Sequence, residues 1–341
     1  MKKRVLATAL GMAIMATMMT GCKAGGDVPS GGGFSESQAD NKEKYKIAIV
    51  KQMDHASLDE IAEAVAAKLD AISEEKNVEI EYEIYSGQGE QTTLKQIGEQ
   101  AVAEQVDVMI PIATLAAQVM TSCAKGTDIP VVYAAVSDPE AAELTEIEYV
   151  TGTSDALNTE FILDMMVKQN PDVEKVGLLY SLSEANSKKP IEDAKAYLNK
   201  EGIEYVEQTA STNDEVITAA SSLAAENVDA IFTPTDNVIM AAELAIYKEL
   251  AEAGIPHYTG ADSFVRNGAF VTCGVNYTML GTETADLAYQ VINEGMDGME
   301  DYYLMDGGVI TVNTETAKLL GIDYSVFSEM GELLEVTTTE E

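Results

Sequence analysis

From Tyr45 onward the apolar positions keep two alternating rhythms. Tyr45–Lys51 is a short apolar run that reads as a strand, and Ala56–Glu75 sets Leu58, Ile61, Ala62, Val65, Leu69 and Ile72 at helical spacing. Val78–Tyr85 puts Val78, Ile80, Tyr82 and Ile84 on one strand face. A helix over Glu90–Glu104, a strand over Val106–Ile110 and a helix over Thr114–Ala124 follow. Ile129–Val136 is an unbroken apolar run, as expected of a strand covered on both faces. This order of strand and helix predicts an open, mostly parallel, doubly wound sheet.

The same syntax restarts after about residue 155. It predicts helices over Asn158–Gln169, Asn186–Glu201, Asp214–Glu226, Asp236–Ala253 and Tyr277–Glu294. Strands fall at Val173–Tyr180, Ile203–Thr209, Val228–Thr233, Ile255–Gly260, Ala269–Val275 and Gly307–Val312, with a short helix through Leu320. The halves also match in detail. Val106-Asp107 and Val228-Asp229 each open a strand that leads to a helix and then to an Ile-Pro pair, at spacings of 23 and 27. The fold class is therefore α/β, with two Rossmann-like lobes and a ligand cleft between them. The first lobe is assigned to 45–154, with a crossover back at the C-terminal end, the second to 155–322, and 323–341 reads as an acidic tail.

Residues 1–21 carry Lys2, Lys3 and Arg4 and no acid, followed by an uncharged run from Val5 to Thr20. That run is too short for a comfortable membrane span and fits a secretory signal peptide. It ends Met19-Thr20-Gly21-Cys22, which resembles a bacterial lipobox, whose Cys is lipidated and becomes the mature N-terminus. Residues 22–44, rich in Gly, Ser and Asp, read as the lipidated Cys22 and a flexible linker. The expected location is extracytoplasmic, anchored to the cell membrane through Cys22.

Charge and composition remove other classes. The 341 residues hold 21 Lys+Arg against 58 Asp+Glu, a formal net charge of -37, which excludes a phosphate-tracking nucleic-acid binder. Three Cys make no disulfide framework, and Cys123 and Cys273 read as buried thiols. Two His and no gathered Cys leave no metal site and no cofactor to expect. Neither a G-x-S-x-G elbow, nor a Walker loop, nor a G-x-G-x-x-G after the first strand is present, so no enzyme is expected.

Ligands of open parallel sheets bind beyond the carboxyl ends of the strands. The loops there are Met53-Asp54-His55, Ser86–Gly89, Ala113-Thr114 and Ser137–Pro139 in the first half, and Ser183–Ser187, Ser211–Asn213, Thr235–Asn237 and Gly260–Ser263 in the second. All are short and polar. Helix N-termini there favour a carboxylate, and Asp138, Asp236 and above all Asp262 are candidates for a ligand ammonium. Tyr85, Tyr133, Tyr180, Phe232, Tyr258 and Phe264 lie near strand ends, where an aromatic ligand stacks. His55 sits by the first loop, His257 reads as structural, and Arg266 lies in what reads as an exposed turn.

Several stretches resemble the tryptophan/tyrosine-type substrate-binding proteins of bacterial ABC importers: "HASLDEI", "SGQGEQTTLKQI", "PIATLAAQVM", "DIPVVYAAVSDPEAA", "GLLYSLSEANS", "DAIFTPTDNVI" and "NYTMLGTETADLA", together spanning about residues 45–322. The resemblance implies a type I periplasmic-binding-protein-like fold, a monomer closing on a small ligand, most often an aromatic amino acid, and an ABC permease as partner. It implies ligand contacts at Gln88, Thr114, Ser137, Asp138, Asn186, Ser187, Thr235, Asn237 and Asp262. The same two-lobe plan also serves sugar or nucleoside receptors, and a lipid-tethered domain can serve as an adhesin or sensor.

Overall fold

The computed structural model describes residues 42–305 and 307–339. The signal segment, Cys22 and nearly all of the linker lie outside the described residues. The chain runs β1 (Lys44–Lys51), α1 (Ala56–Lys76), β2 (Glu79–Ser86), α2 (Gln91–Ala103), β3 (Val108–Ile112), α3 (Thr114–Ala124), β4 (Val131–Tyr133) and β5 (Val150–Ser154). It then crosses to a second lobe: α4 (Thr159–Gln169), β6 (Lys175–Tyr180), α5 (Lys188–Glu201), β7 (Glu204–Thr209), α6 (Asn213–Ala225), β8 (Ala230–Thr233), α7 (Asn237–Glu252), β9 (His257–Thr259), α8 (Asp262–Arg266) and β10 (Val271–Val275). It returns to the first lobe for α9 (Tyr277–Glu294) and β11 (Tyr303–Leu304). A third crossing leads to β12 (Gly307–Asn313), α10 (Thr314–Leu320) and β13 (Glu332–Val336).

The first sheet has the order β11-β5-β4-β3-β1-β2 and is parallel throughout. The second has the order β13-β12-β10-β9-β8-β6-β7, parallel except where β12 runs against β10. Helices cover both faces of each sheet, so central strands such as β3 and β8 are buried over their whole length. Helix starts follow from short polar side chains. Asn158, Thr212, Asp236, Asn276 and Asn313 each accept a first-turn N–H of the helix they precede.

Some elements depart from the reading of the sequence. β5 reads Val-Thr-Gly-Thr-Ser, which looks like a turn, yet all five residues are buried. Both threonine hydroxyls are satisfied far along the chain, Thr151 by the Glu300 carbonyl at 2.8 Å and Thr153 by Thr284 at 2.8 Å, while the Ser154 hydroxyl is buried without a partner. Gly152 lies against Tyr133 of β4, where no Cβ fits. The stretch from 323 on, expected as an acidic tail, carries the buried Phe327 and then pairs β13 with β12. Glu332 and Glu335 are exposed positions of that edge strand. α9 packs on α1 rather than in the second lobe, with Lys68 paired to Asp286 at 3.0 Å and Tyr45 edge-on to Tyr289. Arg266 closes α8 and does not sit in a free turn. Cys273 is buried as expected, while Cys123 is half-exposed. Among the described residues no helix is long and apolar enough to cross a membrane.

The α1–α9 seam is held close by Gly281. A Cβ there would stand 2.7 Å from the Ile61 carbonyl oxygen and 2.8 Å from the Ala64 Cβ. Gly281→Ala is therefore expected to destabilise the protein by about 1–3 kcal/mol through overpacking. Thermal melting would register this as a drop of several degrees, and an unchanged melting temperature would refute the seam's tightness.

Candidate functional site

The two lobes meet with the carboxyl ends of their central strands facing one void. In this closed arrangement the cavity is small, about 20 Å³, partly open to solvent and bounded by residues from both. The first lobe contributes His55 and Ser57 after β1, Ala113 and Thr114 after β3, Ala135 and Ser137 after β4, and Asp155 where the chain leaves β5. The second contributes Asn186 after β6, Thr235–Asn237 after β8, Ala261 and Phe264 after β9, and Tyr277 where the chain leaves β10. Leu58, Met240 and Phe264 make an apolar wall. Thr114 and Asn237 are the first residues of α3 and α7, so two helix N-termini abut the void. Ala113 and Ala135 both have positive φ, 78° and 54°. Strain of this kind, worth of order 1–3 kcal/mol, is found where the surroundings hold a functional backbone in place.

The lobes are closed on each other. Gln52 Nε2 donates to Glu184 Oε1 at 2.8 Å, His55 Nε2 meets Asn237 Oδ1 at 3.0 Å, and Ser137 Oγ meets Thr235 Oγ1 at 3.1 Å. Ser57 and Ser263 bond through their hydroxyls. Each pair joins one lobe to the other.

Three carboxyl groups are buried at this junction, and they are not equally supplied with donors. Asp236 accepts from Ser181 N at 2.7 Å, Ser187 Oγ at 2.6 Å, and Val238 N and Ile239 N at 3.1 Å each. Glu184 accepts from Gln52 and, at 2.6 Å, from Asn237 Nδ2. Asp155 accepts from Ser137 Oγ at 2.8 Å and Tyr277 OH at 3.1 Å. A carboxylate has about four acceptor sites, so Asp155 keeps capacity for a further donor. Burial raises all three above the ordinary carboxylate range, Glu184 to about 7 with help from the neighbouring Asp236. Burial also holds His55 down at about 4, because the enclosed ring cannot hydrate a charge.

Of the residues named from sequence, Thr114, Ser137, Asn186, Thr235 and Asn237 line the void together. The other four do not. Gln88 is exposed beyond β2, which is an edge strand and so stands away from the centre of the sheet. Asp138 caps the following turn through Ala141 N at 2.9 Å. Ser187 is fully buried as a donor to Asp236. Asp262 pairs with Arg266 Nε at 3.2 Å on α8. Of the aromatic candidates, only Phe264 reaches the void, while Tyr133, Phe232 and Tyr258 are core. His257 is buried between Glu243 and Thr233. Sequence reasoning missed Asp155, Ser57 and Tyr277. Asp155 and Tyr277 sit at crossings between lobes, which local pattern does not reveal.

The model of the ABC transporter substrate binding protein family matches residues 46–328. The chain belongs to that family. A tyrosine-binding protein of Clostridioides difficile strain R20291 is 29% identical over 323 residues, covering 93% of this chain and 92% of that one. The ABC domain from Streptococcus pneumonia, solved in complex with L-Trp, superposes with a TM-score of 0.77 at 28% identity, covering 86% of this chain and all of that one. A substrate-binding protein with adhesive properties from Clostridium difficile, solved ligand-free and open, superposes with 0.64 at 28% identity over the same shares. The better fit to the ligand-bound relative agrees with the closed lobes. More distant solute-binding proteins, at 15% identity or less, share the fold alone.

The buried carboxyl groups make this substrate-binding protein sensitive to pH. Glu184 holds its proton more firmly in the folded protein than at its ordinary 4.5, so its contribution to stability is complete below about pH 4.5 and lost as pH rises through about 7. Asp155 and Asp236 act in the same direction. His55 acts in the opposite one: its contribution is complete above 6.5 and lost as pH falls through about 4. Above about pH 6.5 the carboxyl groups dominate. The melting temperature is expected to fall from about pH 6.5 to 8, and Glu184→Gln to flatten that slope. An equally steep slope in the variant would count against this account.

Proposed function

We propose that this protein is the extracytoplasmic capture component of an ABC importer and that its ligand is a free aromatic α-amino acid. The observation that carries the reading is Asp155, a buried carboxyl group in the inter-lobe void with two donors and room for more. A ligand ammonium placed there offsets the desolvation that otherwise raises Asp155. The ligand carboxylate takes the opposite end, at the N-terminus of α3 with Thr114 and Asn186 as donors. The side chain lies against Leu58, Met240 and Phe264. The L-Trp-bound and tyrosine-binding relatives support an aromatic side chain.

Function here is capture and not chemistry. Opening separates the bonded pairs Gln52–Glu184, His55–Asn237 and Ser137–Thr235, and a bridging ligand adds contacts that exist only when the lobes close. A permease that recognises the closed form then receives a loaded protein. Lipidation of Cys22 keeps the domain at the membrane. A second reading, adhesion to a surface, is favoured by the adhesive Clostridium difficile relative. Binding of the purified protein to host cells tests it, and no binding above background removes it.

Thermal melting against a panel of L-amino acids, sugars and nucleosides tests the ligand class. At about 100 times its dissociation constant a ligand adds ~2.7 kcal/mol to the folded state. A shift with L-tryptophan or L-tyrosine is expected, and a shift with a sugar or nucleoside alone would overturn the ligand. Asp155→Asn removes the charge but keeps the shape, and should weaken amino-acid binding by about 1.5–3 kcal/mol in calorimetry. Asp138→Asn should leave it unchanged. Cys22→Ala should shift the protein from the membrane fraction to the medium, and retention at the membrane would exclude the lipid anchor.

A further inference from the structure

A chain of hydrogen bonds crosses the cleft twice and ends at His55. It starts at Leu115 N, a backbone N–H that can only donate, bonded to Gln52 Oε1 at 3.1 Å. That bond fixes the Gln52 amide, whose NH₂ donates to Glu184 Oε1 at 2.8 Å. The second oxygen of Glu184 accepts from Asn237 Nδ2 at 2.6 Å. With Glu184 ionised, the Asn237 amide must turn its oxygen to His55 Nε2, at 3.0 Å. An amide oxygen only accepts, so the proton of the His55 ring is on Nε2 and Nδ1 holds a lone pair.

That Nδ1 is out of reach of solvent and has no partner. His55 begins α1 but does not use its ring to cap the helix. It lines the void, as does Leu58 one turn further on. Burial keeps the ring neutral, so the lone pair persists at physiological pH. A buried acceptor left empty costs free energy and calls for a donor from outside the chain, a water or a ligand.

We propose that His55 Nδ1 accepts the ring donor of the captured side chain, the indole N–H of tryptophan or the phenol O–H of tyrosine, and thereby selects against phenylalanine. This rests on the aromatic amino-acid reading above and adds a residue that sets specificity within it. The bond from Asn237 positions the ring, and Glu184 and Gln52 hold Asn237.

Calorimetry at pH 8, where Glu184 is ionised, with L-tryptophan, L-tyrosine and L-phenylalanine tests it on the intact protein and on His55→Leu. The wild type is expected to bind tryptophan or tyrosine about ten- to a hundredfold more tightly than phenylalanine. His55→Leu should lose that preference, its affinities for the three amino acids drawing level whatever their common strength after the closing bond to Asn237 is lost. Equal affinities in the wild type, or a preference that survives in the variant, would overturn the role of His55. Failure of all three to bind the wild type would overturn the aromatic reading itself, and this inference with it. If the variant does not fold, nitrogen-15 spectra of the unaltered protein decide. It has only two histidines. The unprotonated nitrogen of His55 should shift with tryptophan or tyrosine and stay in place with phenylalanine, and a static resonance overturns the proposal.

Discussion

A carboxyl group taken out of water must be given donors or give up its charge, at a cost of several kcal/mol per bare ion. The cleft of this protein is arranged around that constraint. Asp236 is saturated by backbone and hydroxyl donors and serves as the cap of α7. Glu184 is supplied by one amide from each lobe, so its bonds are complete only when the lobes are closed. Asp155 has one donor on each oxygen, Ser137 and Tyr277, both hydroxyls. The same chemistry thus serves helix stability at Asp236 and closure at Glu184, while Asp155 takes its two donors at a crossing between lobes.

Topology explains why Asp155 is where it is. Asp155 follows β5 at the first crossing between lobes, and Tyr277 follows β10 at the second. Their hydrogen bond at 3.1 Å ties two connecting strands directly beneath the void. The return of α9 to the first lobe, locked on α1 at Gly281, makes that lobe depend on chain from both halves.

Much of the site could be read in the sequence because a helix start beyond a central strand needs a small polar residue, and such residues also bind ligands. Thr114, Ser137, Asn186, Thr235 and Asn237 are short polar residues of this kind, and all five line the void. The same overlap misled at Asp138, whose side chain is occupied by its own turn, and at Asp262, which faces Arg266. Gln88 failed for a different reason: strand order, which places β2 at the sheet edge, is not written in local spacing. β5 stayed hidden because its Thr and Ser side chains look exposed until partners such as Glu300 and Thr284 are brought to them.

By itself the sequence determined the alternation of strands and helices, the two-lobed α/β plan, the strongly acidic character and the family resemblance. These rest on the period of apolar residues and on residue type, which act over one or two turns of chain. Tertiary structure alone decided which strands are central, where the chain changes lobes, and which of many carboxyl groups are buried at the junction. Those properties arise from pairings between residues over a hundred positions apart, such as Tyr277 with Asp155 or Gln52 with Glu184. A residue's neighbours along the chain carry no record of such partners.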